Sequence, residues 1–369
     1  MILSSVLSLC PVNQSTNCSL DLNGGHFDSK VLFGERGFVI GTPIILSTGI
    51  IGNGLSLAVF RSKALRKLTA SSYLAALSIA DMATLLTYVL VEWLRRGLRV
   101  IQPDINMDFL ERNGMCQVQI YLSYISRIMS AWIIVMFTIE RFLAICYPLK
   151  RLKRGVGRVI LYMFIVAALA VLYKPIMTRE KQQRTLNKTI VVCTSYSERL
   201  SAILDTVYAI SITIIPLLII TALNILIVAK LFKRNRERGD LFSEDANSKI
   251  RLEFTVILVV ISCCYVVFNI PYNVMWILFR NVEHYTKHQS AILFLARTFF
   301  YMNNSANFLL YSVTGRSFRC ALKKFILCRS ARNDRYGSHI RCRRLGSSMS
   351  TQHTAASKHT PSVRSVNHS

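Results

Sequence analysis

Several carboxylate and amide side chains lie inside long apolar stretches of the sequence. Asp81 ends the stretch Leu-Ser-Ile-Ala-Asp, and Asn53 stands between two glycines in another apolar stretch. Asn303, Asn304 and Asn307 have spacings of three and four residues, which gather side chains on one face of a helix. Unpaired polar groups in an apolar environment are unfavourable. The sequence therefore predicts a buried polar cluster; the alternative is that these amides only join helices by hydrogen bonds.

A carboxylate and a guanidinium are adjacent at Glu140 and Arg141, near the end of a further apolar stretch. Such neighbours can hold each other as a local ion pair, or the arginine can leave the glutamate for another partner. The pattern predicts a switch. The alternative is a pair that only anchors the end of a helix.

A second group of polar and aromatic residues lies toward the opposite ends of the apolar stretches. Its members are Glu92, Tyr124, Arg127, Tyr272, Asn273 and Arg297. Two arginines and a glutamate in apolar surroundings indicate a polar, hydrogen-bonding ligand rather than a lipid. The alternative is that Glu92 pairs with Arg297 or Arg127 and only holds helices together.

Catalytic and metal-binding patterns are not indicated. All 7 histidines lie outside the apolar stretches. His284 and His288 are four residues apart, but no cluster of thiolates or carboxylates accompanies them. We therefore predict no enzymatic activity, no metal site and no cofactor apart from the small ion considered below.

The elements that position these residues are predicted to be membrane helices. The 369-residue chain is 52% hydrophobic and 17% charged, whereas about 25% is usual in soluble domains. A membrane-spanning helix needs about 20 apolar residues. Three segments of that length carry no charge, and four qualify with few interruptions: 37–60, 206–229 and 254–279, then 68–94, 115–148, 156–177 and 289–315. The predicted fold class is all-α, a seven-transmembrane helix bundle.

The fourth segment is the weakest of the seven. Its uncharged part, 159–173, is short and lies between Arg158 and Lys174. Both side chains can reach to the membrane interface while their carbon stems stay in lipid.

The net charge of +26 follows this topology and does not indicate nucleic acid. More than half of the 45 Lys and Arg lie in segments that would share the cytosolic side, which places the N-terminus outside. Glycosylation sequons at Asn13, Asn17 and Asn187 all fall on the outer side. The predicted organisation is an extracellular tail, a membrane domain, an amphipathic eighth helix at the inner leaflet and a disordered cytoplasmic tail: 1–36, 37–315, 316–328 and 329–369.

From residue 37 to about residue 328 the chain resembles a rhodopsin-like (class A) G-protein-coupled receptor. The matching residues, in chain order, are Asn53, Asp81, Cys116, Glu140-Arg141-Phe142, Pro216, Pro271 and Asn307-Phe-Leu-Leu-Tyr311. Several positions depart from the family pattern: the fourth helix has no tryptophan, and Asn224 stands where the fifth helix usually has tyrosine. Asn269 replaces the tryptophan of the sixth helix, and Phe308 replaces the proline of the seventh.

The resemblance implies roles for the polar residues. The family's sodium pocket matches Asp81, Ser130, Asn303 and Asn304, with Asn53 and Asn307 in the same polar core. Glu140, Arg141 and Tyr311 match the switch that faces a heterotrimeric G protein. The ligand cavity matches the six outer residues: Glu92, Tyr124, Arg127, Tyr272, Asn273 and Arg297.

Covalent features and further partners also follow from the resemblance. A disulfide between Cys116 and Cys193 is expected, as is palmitoylation of Cys328. The Ser/Thr-rich stretch 347–357 is expected to accept phosphate from receptor kinases and then to bind arrestin. The implied location is the plasma membrane, in contact with lipid and with the chain crossing it several times.

Tyr124, Tyr272 and Arg297 resemble the pattern in receptors for short amidated peptides, such as the thyrotropin-releasing-hormone and FMRFamide-like groups. A short neuropeptide is therefore the expected ligand. Ser123 stands where amine receptors carry aspartate, and Tyr301 stands where opsins carry the lysine that binds retinal. The alternatives are a receptor for a non-peptide polar ligand and, in another class, a seven-helix transporter or channel, although no repeat indicates one.

Overall fold

The structure, a computed structural model, describes most of the predicted membrane domain. The described residues are 29–63, 65–102, 105, 107–147, 155–185, 188–238, 246–279 and 286–330. Asn13, Asn17 and Asn187 lie outside the described residues, as do most of the N-terminal tail and the C-terminal tail beyond 330. The backbone at Cys328 is described, but its side chain is not.

Eight main helices follow one another in the described part of the chain. They are α1 (Ser29–Phe60), α2 (69–101), α3 (Met115–Cys146), α4 (Val156–Met177), α5 (198–238), α6 (Ala246–Phe279), α7 (287–314) and α8 (Arg316–Ser330). Between α4 and α5 a hairpin is formed by β1 (Thr178–Thr185) and β2 (Lys188–Ser195). The prediction of an all-α chain did not include this hairpin.

Helices α1 to α6 each contain a stretch long and apolar enough to cross a membrane. The fourth helix, the weakest prediction, is among them. α7 is divided at Ala306 into Lys287–Ser305 and Asn307–Thr314, and it carries several polar residues. It packs against α1 and α6 and completes the predicted seven-helix bundle.

Two helices are not regular along their length. In α2, the π-helical turns Leu85–Val89 and Trp93–Gly97 flank the short α-helical turn Leu90–Glu92. α5 contains a third π-helical turn, Ile210–Ile214. A π-helical turn holds one extra residue and rotates the side chains beyond it, and such turns are frequent at functional sites.

The outward face of the bundle is apolar. On α4, for example, Leu161, Tyr162, Val166 and Leu169 are each more than half exposed. Contiguous exposed apolar surface of this kind needs a covering. Lipid supplies it in a protein whose helices span a membrane, while the polar side chains described below face inward.

Candidate functional site

Glu92 and Arg297 form a buried ion pair that joins α2 to α7. The Arg297 Nη1 atom donates to Glu92 Oε2 at 2.9 Å, and Arg96 Nε donates to the same oxygen at 2.8 Å. Glu92 lies in the turn between the two π-helical turns of α2. Of the two partners that the sequence left open for Glu92, the structure selects Arg297.

Arg127 on α3 has a different environment. Its Nε donates to the backbone carbonyl of Ser123 at 3.2 Å. Its Cζ lies 4.3 Å, 4.8 Å and 5.3 Å from the ring centroids of Tyr88, Tyr124 and Tyr208. These distances are typical of cation–π contacts. Among the described residues no carboxylate pairs with this guanidinium.

Tyr272 and Asn273 on α6 are only partly joined to this group. The Tyr272 ring packs 5.1 Å from Phe300, and Arg297 Cζ lies 5.9 Å from the Tyr272 centroid. Asn273 instead donates to the carbonyl of Asn269 on its own helix, at 2.8 Å. The structure therefore brings Tyr272 to Arg297, but within the described residues the Asn273 side chain makes no hydrogen bond to the other predicted ligand-binding residues.

The sequence reasoning missed a second ion pair, between Lys174 on α4 and Asp205 on α5. Lys174 Nζ lies 2.7 Å from Asp205 Oδ2, and Lys174 is only 7% exposed. The hydroxyls of Tyr124 and Tyr173 each donate to Asp205 Oδ1 at 3.1 Å. Ser201, one helical turn before Asp205, donates to Oδ2 at 3.3 Å. The expectation that Lys174 reaches to the interface is wrong, because the half-buried carboxylate of Asp205 holds its ammonium group inside the bundle.

Tyr124 connects this ion pair to Arg127. Its hydroxyl binds Asp205, while its ring lies under Arg127 and stacks on Tyr208 at 4.2 Å between centroids. The Tyr208 hydroxyl in turn donates to the Tyr124 carbonyl at 3.0 Å. α3 and α5 are thus held together beside Arg127. The sequence did contain a signal for this cluster, because Asp205 directly precedes the uncharged segment 206–229.

The hairpin is fixed by a disulfide and by hydrogen bonds to one end of the bundle, which we call the outer end. Cys116 at the start of α3 is bonded to Cys193 in β2, with 6.2 Å between their Cα atoms. Glu111 Oε2 accepts a hydrogen bond from the Cys193 amide at 2.8 Å, and Glu111 Oε1 lies 2.9 Å from Arg95 Nε. This disulfide confirms the expectation drawn from the family resemblance.

The predicted polar core is assembled around Asp81 on α2. Ser130 on α3 donates to Asp81 Oδ1 at 2.5 Å, and Asn307 on α7 donates to Oδ2 at 2.6 Å. Asn53 on α1 donates to the Asn304 carbonyl at 2.8 Å. Four helices therefore meet in hydrogen bonds at mid-bundle. Asn303 is half-buried, and among the described residues its side chain makes no hydrogen bond to this cluster.

At the opposite end of the bundle, which we call the inner end, Arg141 is paired with Glu140, its neighbour in the chain. Arg141 Nη2 lies 2.5 Å from Glu140 Oε2, and its guanidinium packs against the Phe137 ring. Tyr311 is fully buried, with its ring 5.1 Å from Phe60. Among the described residues its hydroxyl has no hydrogen-bond partner.

Glu253 joins α6 to α8 at the same end. It accepts hydrogen bonds from the backbone amide of Ser317 at 2.5 Å and from the Ser317 hydroxyl at 2.8 Å. A carboxylate at the N-terminus of α8 satisfies unpaired amides and interacts favourably with the helix dipole.

Comparison with known proteins gives consistent relatives. The model of the 7 transmembrane receptor (rhodopsin family) matches residues 52–311. The allatostatin-A receptor of Bombyx mori is 22% identical over 334 residues, which cover 86% of each chain. The thyrotropin-releasing hormone receptor of Gallus gallus is 24% identical over 322 residues, or 79% of this chain and 78% of the relative. Proteinase-activated receptor 2 of Rattus norvegicus is 22% identical over 324 residues, or 83% and 76%.

Proposed function

Because the chain belongs to the rhodopsin family of seven-transmembrane receptors, and is thus a receptor rather than an enzyme, we propose that its natural ligand is a short extracellular peptide. We place the receptor in the plasma membrane, with its N-terminus outside and its C-terminus in the cytosol. The occupied receptor activates a heterotrimeric G protein.

The polar character of the outer end of the bundle supports a peptide. Glu92, Arg127 and Arg297 are charged, and Tyr124 and Tyr272 add hydroxyls and aromatic faces beside them. Peptides offer backbone amides, carbonyls and side chains that match such a surface. Two relatives with most of their length covered are named for peptide hormones, allatostatin-A and thyrotropin-releasing hormone.

We propose that the ligand enters the bundle beneath the hairpin. The disulfide of Cys193 ties β2 to the start of α3, which fixes the hairpin over this entrance. The ligand contacts Arg127, Tyr272 and Arg297. A ligand shifts an equilibrium only by its different affinity for the two conformations. We therefore expect the bound peptide to favour a bundle in which α6 swings outward about Pro271.

The response at the inner end depends on Arg141. In the conformation described here it is held by Glu140. When the inner end of α6 moves away, Arg141 leaves Glu140 and faces the G protein together with Tyr311. Because a guanidinium presents several hydrogen-bond donors in a planar fork, it is suited to bind backbone carbonyls of a partner.

A sodium ion fits the polar core. Asp81 supplies a buried carboxylate, and Ser130 and Asn304 supply further oxygens nearby. The Asn53 Oδ1 atom is buried and accepts no hydrogen bond in the described part of the molecule, so a cation would provide the partner that it lacks. Bound sodium would add positive charge beside Asp81, and these residues would hold α1, α2, α3 and α7 in the inactive arrangement.

The remaining proposals concern covalent modifications of the receptor and the proteins that make or recognise them. We propose glycans on Asn13, Asn17 and Asn187, and a palmitoyl chain on Cys328 that anchors α8 to the inner leaflet. Receptor kinases would modify the Ser/Thr stretch 347–357, and arrestin would bind the product. Each modification adds bulk, lipid affinity or negative charge at a position outside the seven bundle helices.

A peptide screen in cells tests the proposal. Cells that express the receptor are exposed to a library of short peptides, with calcium and cyclic-AMP reporters as the readouts. We expect at least one peptide to activate the wild-type receptor. Arg141→Ala should abolish that response while surface binding of the labelled peptide persists.

Arg158→Ala is the matched control, because it removes an exposed cytosolic arginine at the start of α4. It should signal normally. Retained signalling by Arg141→Ala would refute the role of this residue, and a response of the wild type only to non-peptide polar compounds would refute the peptide.

A further inference from the structure

We propose that the peptide carries a carboxylate and that Arg127 is the residue that binds it. This inference rests on the proposed function and narrows it, because it names the chemical group of the peptide that enters deepest. The group is either the free C-terminus of the peptide or the side chain of an acidic residue.

The charges at the outer end of the bundle are unequal. Five cations and three acids take part in the contacts described above: Arg95, Arg96, Arg127, Lys174 and Arg297, and Glu92, Glu111 and Asp205. Each of these three acids already has a cationic partner. The excess of positive charge favours an anionic ligand group over a cationic one.

The acids are also saturated with hydrogen bonds. Asp205 accepts from one lysine, two tyrosines and one serine. Glu92 accepts from two arginines, and Glu111 binds Arg95 and a backbone amide. A ligand amine would have to displace one of these partners, whereas a ligand carboxylate would not.

Of these five cations, Arg127 alone has no carboxylate partner among the described residues. Its neighbours there are a backbone carbonyl and three tyrosine rings, and none of them carries a negative charge. A guanidinium in apolar surroundings is unfavourable until it is paired. Arginine binds a carboxylate through two parallel hydrogen bonds, which makes the match specific in geometry as well as in charge.

Comparison with Arg297 shows why Arg127 is the better partner for a ligand carboxylate. Arg297 also lies at this end of the bundle, but it is paired with Glu92 at 2.9 Å. It can donate to a neutral carbonyl, yet it offers a ligand carboxylate less than Arg127 does. The receptor thus presents one arginine for a neutral group and one for an acid.

Matched peptides test this inference. Each N-acetylated tripeptide of a set is prepared in three forms: as the free acid, as the C-terminal amide, and as an amide that carries one glutamate. Two readouts are taken, the melting temperature of purified full-length receptor and a G-protein reporter in cells. The variants are Arg127→Gln, Arg127→Lys and, as a control, Arg179→Gln, which removes an exposed arginine lying 4.5 Å from the Tyr196 ring.

We expect at least one acid-bearing tripeptide to raise the melting temperature of the receptor and to activate it. Arg127→Gln should weaken their potency about 10- to 100-fold, the effect of losing a charge-assisted hydrogen bond. Arg127→Lys should retain part of that potency because its charge remains, and Arg179→Gln should behave as the wild type. The free acid and the glutamate-bearing amide separate the two sources of the carboxylate.

Equal potency of the plain amide and the acid-bearing forms, unchanged by Arg127→Gln, would overturn the inference while leaving a peptide receptor in place. Acid forms that raise the melting temperature through Arg127 without activating any reporter would support carboxylate recognition and contradict the proposed signalling function. No effect of any form on either readout would contradict the inference.

Discussion

Replacing Glu92 with glutamine tests how strongly the bond between α2 and α7 supports the bundle. The Arg297 side chain is 4% exposed and that of Glu92 is 12% exposed, so the substitution leaves a buried arginine facing a neutral amide. Removing one partner of a buried ion pair costs about 3–5 kcal/mol. At about 2–4 °C per kcal/mol, the conversion for chains of about 150–250 residues, Glu92→Gln should lower the melting temperature by about 6–20 °C.

Arg96 provides a matched comparison within the same network. It binds the same carboxylate oxygen from one helical turn away, and its side chain is 17% exposed. Pairs of this kind along a helix contribute about 0.3–0.5 kcal/mol. Arg96→Gln should therefore lower the melting temperature by about 2 °C at most, far less than Glu92→Gln.

The assay is thermal unfolding of the purified full-length receptor in detergent, followed by a fluorophore that reacts with newly exposed cysteines. The double variant Glu92→Gln, Arg297→Gln should be more stable than the sum of the two single losses predicts, by about 1–3 kcal/mol. A strictly additive result would show that the pair is not coupled. A Glu92→Gln loss no larger than that of Arg96→Gln would also refute the reasoning.

Three further substitutions probe the outer end, the middle and the inner end of the bundle. Cys193→Ser should cost about 2–4 kcal/mol of stability by releasing β2 from α3, and a reductant should destabilise the wild type but not the variant. Sodium should raise the melting temperature of the wild type relative to N-methylglucamine at equal ionic strength, and Asp81→Asn should abolish the difference; sodium sensitivity retained by the variant would place the ion elsewhere. Glu253→Gln should raise ligand-independent signalling about 2- to 10-fold, because it weakens the hydrogen bonds to Ser317 that hold α6 to α8. Unchanged ligand-independent signalling would show that these hydrogen bonds do not restrain α6.

Much of the fold and of the polar core was predictable because the signals are local. Asp81, Asn53 and the asparagines of α7 stand out against apolar neighbours, and helical spacing alone puts Asn304 and Asn307 on one face. Glu140 and Arg141 are adjacent in the chain, so their pairing needs no tertiary information. The ion pair at the inner end could therefore be predicted from these two adjacent residues alone.

The ion pair of Lys174 and Asp205 was missed because it depends on distance across the bundle. Both residues flank apolar segments, where a charged side chain is usually read as a membrane anchor. Only the meeting of α4 with α5, with Tyr124 reaching from α3, brings three donors from other helices to one carboxylate. A cue was available in opposite charges at the outer ends of consecutive spans.

The partner of Glu92 was undecided for a different reason. A regular helix and one with π-helical turns point the same residue in different directions, and the sequence does not reveal the turns at Leu85–Val89 and Trp93–Gly97. With those turns in place Glu92 meets Arg297 on α7. Arg127 is left among aromatic rings, which is the basis for assigning it a ligand carboxylate.

Guanine-nucleotide exchange in a defined system decides most directly whether the chain is a peptide-activated receptor. Purified full-length protein is reconstituted in lipid with each class of heterotrimeric G protein, and nucleotide exchange is measured with and without the short-peptide library. We predict that peptide accelerates exchange on at least one G protein and that Arg141→Ala removes the acceleration. No acceleration on any G protein, accompanied by ion or solute flux across the same proteoliposomes, would contradict the receptor function and favour a transporter or channel.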